Sequence, residues 1–416
     1  MRNRRDAALV AYRAASDAVS KSAVFAITVV AARRLSQEAF GIFALASTIG
    51  WVATVAADFG IQLHLARAIA RQPAQARQFL RRWFTVRLAS SGAALVAVGG
   101  TIWLTPAARP CAAAMLLLTA MYLVSGLVEF LHYFYRGLSR SDVESRITVL
   151  QRLATLVLAL TALAVAPSVT LLAAALLVPA AVTLVCSVRL ATRLVAETTR
   201  EVFQPALLTE FAREVMPIGA GIVLSALYFR IDVFLVELWK GTSALALYNA
   251  VFRIVEALRL FPAAALAVAL PVLCRATTAR PLIQVSSAIT LFGAVVAVVL
   301  WTTAGWLIPF MYGARYAEAV PAFRILILAF PLMSLNYALT HQLIGWNGHR
   351  AYAAICAAAL FFNVVLNVRL IPSWSIVGAS WSTVWTEVLL SLTCLIALKL
   401  RSGRPAIESP VVMGAS

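Results

Sequence analysis

The sequence predicts an all-α polytopic membrane protein, with about twelve transmembrane helices in two six-helix pseudo-symmetric lobes around a central cavity. Three observations lead there. Of the 416 residues, 62% are hydrophobic and 12% charged, and the mean hydropathy is +0.88; a soluble chain is roughly half apolar and a quarter charged. The apolar residues fall into runs of about 20, the length that crosses a bilayer as a helix. The basic residues alternate between loops, heavy on one side and light on the other.

Taken in order, the first span, 17–35, follows an amino terminus carrying Arg2, Arg4, Arg5 and Arg13. Its apolar run continues to Arg33 and Arg34 and on into the next span, so it reads as an uncleaved helix rather than a signal peptide. Span 39–61 leads to a loop rich in arginine from Arg67 to Arg82. Spans 83–104 and 110–134 follow, then 147–166 and 169–190, divided at Pro167. Residues 191–214 form the longest loop, a mixed-charge stretch suited to lie as an amphipathic segment at the interface. Spans 215–238 and 244–272 make a hairpin turning near Gly241. Spans 283–309 and 317–345 come next, and Pro372 divides 351–371 from 376–399.

This layout gives an N-terminal six-helix lobe (1–190), a cytoplasmic linker (191–214), a C-terminal six-helix lobe (215–400) and a cytoplasmic tail (401–416). "LSQEAFGIF" after the first span and "KGTSALALY" after the seventh occupy corresponding hairpins. Two halves of like orientation imply an axis along the membrane normal with a cavity between them.

The net charge of +18 would suggest nucleic acid in a soluble protein. Here 22 of the 35 basic residues lie at the termini and in the even-numbered loops, six lie in the odd-numbered loops and seven within spans. That bias places both termini in the cytoplasm and makes the charge a topology signal, so no nucleic-acid partner is expected. The five cysteines are scattered without C-x-x-C spacing, which indicates neither a disulfide framework nor a zinc site. No Ser-His-Asp set, glycine-rich phosphate loop or metal cluster stands out, and no enzyme or cofactor is expected.

Several stretches resemble the Wzx-type oligosaccharide/polysaccharide flippase family, within the superfamily of multidrug, oligosaccharidyl-lipid and polysaccharide exporters. "ARRLSQEAFGIFALASTIGWVATVAADFGIQLHLAR" is similar to its opening hairpin. "YFRIDVFLVELWKGTSALALYNAVFRIVEALRLFPAAALAVALPVL" is similar to its seventh and eighth helices, and "MYGARYAEAVPAFRIL" to its ninth-to-tenth connection. "NVVLNVRLIPSWSIVGASWSTVWTEV" resembles its N-x-x-L-N-x-x-L-I-P-x-x-G-x-x-G-A pattern, with Ser375 where glycine is usual. The resemblance implies lobes that open alternately to cytoplasm and periplasm in the bacterial inner membrane. Its implied cargo is a polyprenyl-diphosphate-linked oligosaccharide for exopolysaccharide, capsule or O-antigen synthesis. Membrane lipids and the polysaccharide polymerase and chain-length machinery are the further partners it implies. A multidrug exporter would favour an aromatic, acidic cavity, and a lipid II exporter fourteen spans. A membrane-embedded polymerase or ligase would be expected to carry a large periplasmic loop.

The charges inside the spans carry the candidate site. Arg230 lies eleven residues before Gly241 and Arg253 twelve after it, which puts both about 17 Å from the turn. Asn249, Arg253, Glu256 and Arg259 share one face of a helix. Two readings are open. In one, Arg230 pairs with Glu256 and Asp232 with Arg253 as structural glue. In the other, Arg230, Arg253 and Arg259 hold a diphosphate headgroup, since guanidinium binds phosphate with a planar fork, while Asp232, Asn249 and Glu256 line the cavity and couple transport to H⁺ or Na⁺. Asp17, Lys21 and Asp58 form a candidate cytoplasmic gate, or else sit at the interface.

Overall fold

A computed structural model describes residues 22–195, 207–275, 280–346 and 348–401. Every regular element among them is helical. A first helix, α1, covers 22–34, and Ser36 caps the start of α2 (Gln37–Asp58) by accepting from the Ala39 amide at 3.1 Å. α2 stops where Phe59 and Gly60 both take positive φ (44° and 82°), turning the chain into α3 (Ile61–Arg71). α4 (Ala76–Leu104), α5 (Ala112–Gly137), α6 (Ser141–Val165) and α7 (Val169–Leu194) complete the first half. α8 (Leu207–Leu258), α9 (Leu260–Arg275), α10 (Arg280–Tyr312), α11 (Val320–Gly345) and α12 (His349–Arg401) make up the second.

Among the described residues, nine helical stretches are long and apolar enough to cross a membrane. Two of them, Gly219–Leu266 and His349–Leu400, are 48 and 52 residues long, beyond what one crossing needs. Each contains a reversal: α8 breaks at Gly241 (φ 78°) and α12 at Ser375 (φ 51°). Bonds across each break, from Arg230 to Glu256 and from Asn363 to Thr386, mark antiparallel arms. Counting each hairpin twice turns nine into eleven crossings of a multi-pass membrane protein. The expected first span, 17–35, begins outside the described residues, as do parts of the expected linker and tail.

Two expected boundaries are corrected. The loop after the second span is largely helix: in α3, Ile61, Leu65 and Ile69 are buried at four-residue spacing while Arg67 and Arg71 are exposed, so the segment is amphipathic. The expected continuous span 244–272 is interrupted at Arg259, between α8 and α9. Pro262 explains the break, because it has no N–H for the Leu258 carbonyl and its ring crowds that oxygen.

One apolar cluster draws on both halves of the chain, including Leu35 and Phe40 with Tyr248, Phe323 and Phe330. Two smaller clusters lie within 61–195 and within 266–398. α2 packs along α8, and a glycine permits the approach at each end. A Cβ on Gly41 would lie 2.1 Å from the Thr242 carbonyl oxygen, and one on Gly219 2.5 Å from that of Phe59. The first contact joins the two hairpins matched in the sequence, and Gln37 there donates to the Ser243 carbonyl at 3.2 Å.

A second junction between the halves is built by two arginines. Arg33 at the end of α1 donates to the carbonyls of Met311 (2.7 Å) and Phe310 at the end of α10. Arg315 reciprocates, donating to the carbonyls of Ala32, Arg33 (3.1 Å) and Leu35 (2.7 Å). Arg33 therefore satisfies carbonyls at the C-terminus of α10, and Arg315, three residues beyond α10, satisfies carbonyls at and just after the C-terminus of α1.

Candidate functional site

The site residues are positioned by the α8 hairpin. Its turn at Gly241 requires a positive φ, and the arms then run antiparallel, so that residues 9–11 before the turn face residues 7–15 after it. Arg230 on the first arm donates through Nη2 to Glu256 Oε1 at 2.7 Å, and Arg253 on the second donates through Nη1 to Glu256 Oε2 at 2.8 Å. One carboxylate thus holds two guanidiniums, each on its own oxygen. The Arg230 and Arg253 side chains are 5% and 14% exposed and Glu256 is 32% exposed, so the carboxylate is the most accessible member of the group.

Aromatic rings complete the surroundings of the arginines. The Arg230 guanidinium carbon lies 4.8 Å from the Phe252 ring centre, 5.2 Å from Phe229 and 5.8 Å from Trp51 of α2. Arg259, at the break after α8, stands 4.4 Å over Phe229. These cation–π contacts supply part of what water would have given the charges. Glu256 is the one carboxylate bonded to these guanidiniums among the described residues, while Asp232 and Glu387 act on Arg230 and Arg259 electrostatically from the adjoining recess. Arg230 Nη1 and Arg253 Nε are buried without a hydrogen-bond partner among the described residues.

The expected partnership of Asp232 with Arg253 is not formed. Asp232 instead accepts from the Tyr248 hydroxyl and from the Val233 amide at 2.9 Å, because Tyr248, not Arg253, is turned toward it. Asp232 lies in a small polar recess with Asn363, Thr383, Thr386 and Glu387. There Asn363 donates to Thr386 at 3.0 Å and accepts from Asn367 at 2.7 Å, and Asn336 donates to Glu387 at 2.7 Å. Asn249 is fully buried, and neither its Oδ1 nor its Nδ2 is bonded among the described residues.

The three candidate gate residues are not assembled. Asp17 and Lys21 lie outside the described residues. Asp58 is 5% exposed and paired with the fully buried Arg87 of α4 at 3.3 Å, and it also accepts from the Gly60 amide at 3.2 Å. This ties Asp58 to the α2–α3 turn. Arg87 was missed as a partner; the available signal was that it is one of seven basic residues within the spans. Arg152 of α6 was missed likewise. It interacts electrostatically with Glu129 of α5, which is exposed. Arg136 pairs with Glu144 and stacks 4.3 Å over Tyr133.

Sequence comparison matches residues 10–277 to a family described as "Polysaccharide biosynthesis protein". Comparison with curated protein sequences finds no significant match. Among solved structures, the chain is similar to an outward-facing multidrug resistance MATE family transporter of the MOP superfamily: TM-score 0.65 and 15% identity, over 95% of this chain and 95% of that one. It is similar to the lipid II flippase MurJ in an inward closed conformation, with TM-score 0.63 and 12% identity over 92% of this chain and 86% of that one. A MOP superfamily transporter from Pyrococcus furiosus gives TM-score 0.64 and 12% identity, over 94% of each. At such identities the likeness is one of fold, and the fold is MATE-like.

Proposed function

The chain belongs to the polysaccharide biosynthesis protein family, whose members are membrane transporters rather than enzymes, and from this premise we propose that it is a flippase. It moves polyprenyl-diphosphate-linked oligosaccharide from the cytoplasmic to the periplasmic leaflet of a bacterial inner membrane by alternating access. Two six-helix lobes, 1–190 and 215–400, move against each other about the central site, and both termini are cytoplasmic.

The observation that carries this reading is the arginine cluster on the α8 hairpin. Charges at mid-membrane cost about 2.5–3.5 kcal/mol each on insertion scales, and apolar residues would avoid that cost. Three arginines with only Glu256 between two of them make sense as a site for a more highly charged anion. The two Glu256 oxygens occupy positions that phosphate oxygens can take, each already facing a guanidinium. Cargo then displaces Glu256, and the carboxylate returns to the arginines when the cargo leaves. Exposed Glu129 of α5 and its electrostatic partner Arg152 of α6 supply further polar groups within the spans of the first half. Asp232 and its recess are the place for coupling to H⁺ or Na⁺.

The test is reconstitution of the purified protein into liposomes with a fluorescent undecaprenyl-diphosphate oligosaccharide. Wild type translocates it, and Arg253→Ala inserts and purifies normally but translocates nothing. Translocation by Arg253→Ala at the wild-type rate removes the headgroup role. If wild type moves none of several glycans, with and without ion gradients, the flippase reading is overturned and a drug exporter of the same superfamily replaces it.

A further inference from the structure

A second cationic feature lies away from the α8 hairpin, on the outward face of α10 and α11. α10 exposes Leu291, Val295, Val298 and Trp301, which makes this face lipid-directed. Between the two helices runs an apolar groove of about 280 Å³, lined by Ala294, Ala297, Val298 and Trp301 on one side and Leu328 and Pro331 on the other. The residues fall at helical spacing, 294–297–301 and 328–331, so each helix contributes one wall. The two alanines leave the space that larger side chains would fill. The volume is at the small end for ligand pockets, which suits one hydrocarbon chain rather than a sugar.

Arg324 continues the α11 wall one turn above Leu328. Its guanidinium carbon lies 5.2 Å over the Trp301 ring, and its Nη2 approaches Gly305. Its buried Nε has no hydrogen-bond partner, and Arg324 forms no ion pair among the described residues. Trp306 and Phe310, both exposed and stacked 4.7 Å apart, continue α10 toward the same end. Exposed aromatics of this kind mark the headgroup level of a bilayer. The groove therefore descends from a cation near the headgroups into the hydrocarbon.

We infer that this groove is a binding site for an acidic membrane phospholipid, whose phosphate is held by Arg324 beside Trp301 and one of whose acyl chains lies between α10 and α11. A guanidinium without a protein anion, at the mouth of a chain-sized apolar groove, is complementary to a phosphate attached to a hydrocarbon chain. This assignment is independent of the cargo and of the α8 cluster.

Native mass spectrometry of the delipidated full-length protein tests it, with phosphatidylglycerol or phosphatidylcholine added back. Wild type retains phosphatidylglycerol preferentially. Arg324→Gln weakens that retention about tenfold, the loss of one charge-assisted contact, and Arg324→Lys keeps most of it. Ala294→Phe, which fills the groove and leaves the arginine, also weakens it. Equal retention by wild type, Arg324→Gln and Ala294→Phe overturns the site. Displacement of phosphatidylglycerol by undecaprenyl diphosphate at equal concentration overturns the choice of occupant and gives the groove to the polyprenyl carrier.

Discussion

Ser375 turns the α12 hairpin at φ 51° and ψ −135°, a conformation that side chains bearing a Cβ adopt at a cost of order 1–3 kcal/mol. Ser375→Gly removes that cost, and the expected outcome is a gain of about 1 kcal/mol, seen as a higher thermal unfolding midpoint of the detergent-purified protein. A lower midpoint means that the serine hydroxyl contributes more than the backbone loses. The sequence already marked this position, because serine stood where the family pattern carries glycine. The Arg230–Glu256 pair was legible too, since Arg253 matches Arg230 in distance from Gly241 and Glu256 lies just beyond Arg253. Asp232 was not: depth along a hairpin can be counted, but which neighbour faces it depends on helix rotation, and there Tyr248 takes the place expected for Arg253. Asp58 was placed in a gate because its helix end was legible while its partner Arg87, on α4, belonged to a different span.

At the scale of elements, close approach of α2 to α8 is set by glycine. The Gly41 contact with Thr242 and the neighbouring bond from Gln37 to Ser243 hold two hairpins together at one end of the bundle. The alternating access proposed above requires this junction to part. A disulfide between Gln37→Cys and Ser243→Cys is expected to form on mild oxidation, to stop translocation and to release it on reduction. Full transport by the cross-linked protein shows that the junction stays closed throughout the cycle. Most spans were legible because runs of about 20 apolar residues cannot be much else. The interruption of the eighth span at Arg259 was not anticipated, although Pro262 is its signal. α3 was overlooked because its buried stripe is only three residues, within a segment whose arginines dominated the reading.

For the whole molecule, the two halves are joined at the same end by Arg33, which caps α10, and Arg315, which caps α1. Their bonds are lost together when the halves separate. Arg315→Ala is expected to shift the population toward separation. Spin labels at the exposed positions Arg34 and Glu318, on either side of the junction, should report a longer and broader distance distribution in the variant than in wild type. An unchanged distribution assigns the closure to the Gly41 contact alone. That the chain is an all-α multi-pass membrane protein was anticipated from its apolar runs. How the halves touch was not, because these contacts run from side chain to main chain and leave no complementary pair of residues to find.

Those arginines read carbonyl oxygens, which every residue type supplies. Exchanging Ala32, Leu35, Phe310 or Met311 for another apolar residue therefore leaves the bonding atoms of the fastening in place, whereas replacing Arg33 or Arg315 removes them. What constrains the gripped positions is packing, Ala32 and Leu35 being fully buried in the shared core, and not the latch itself.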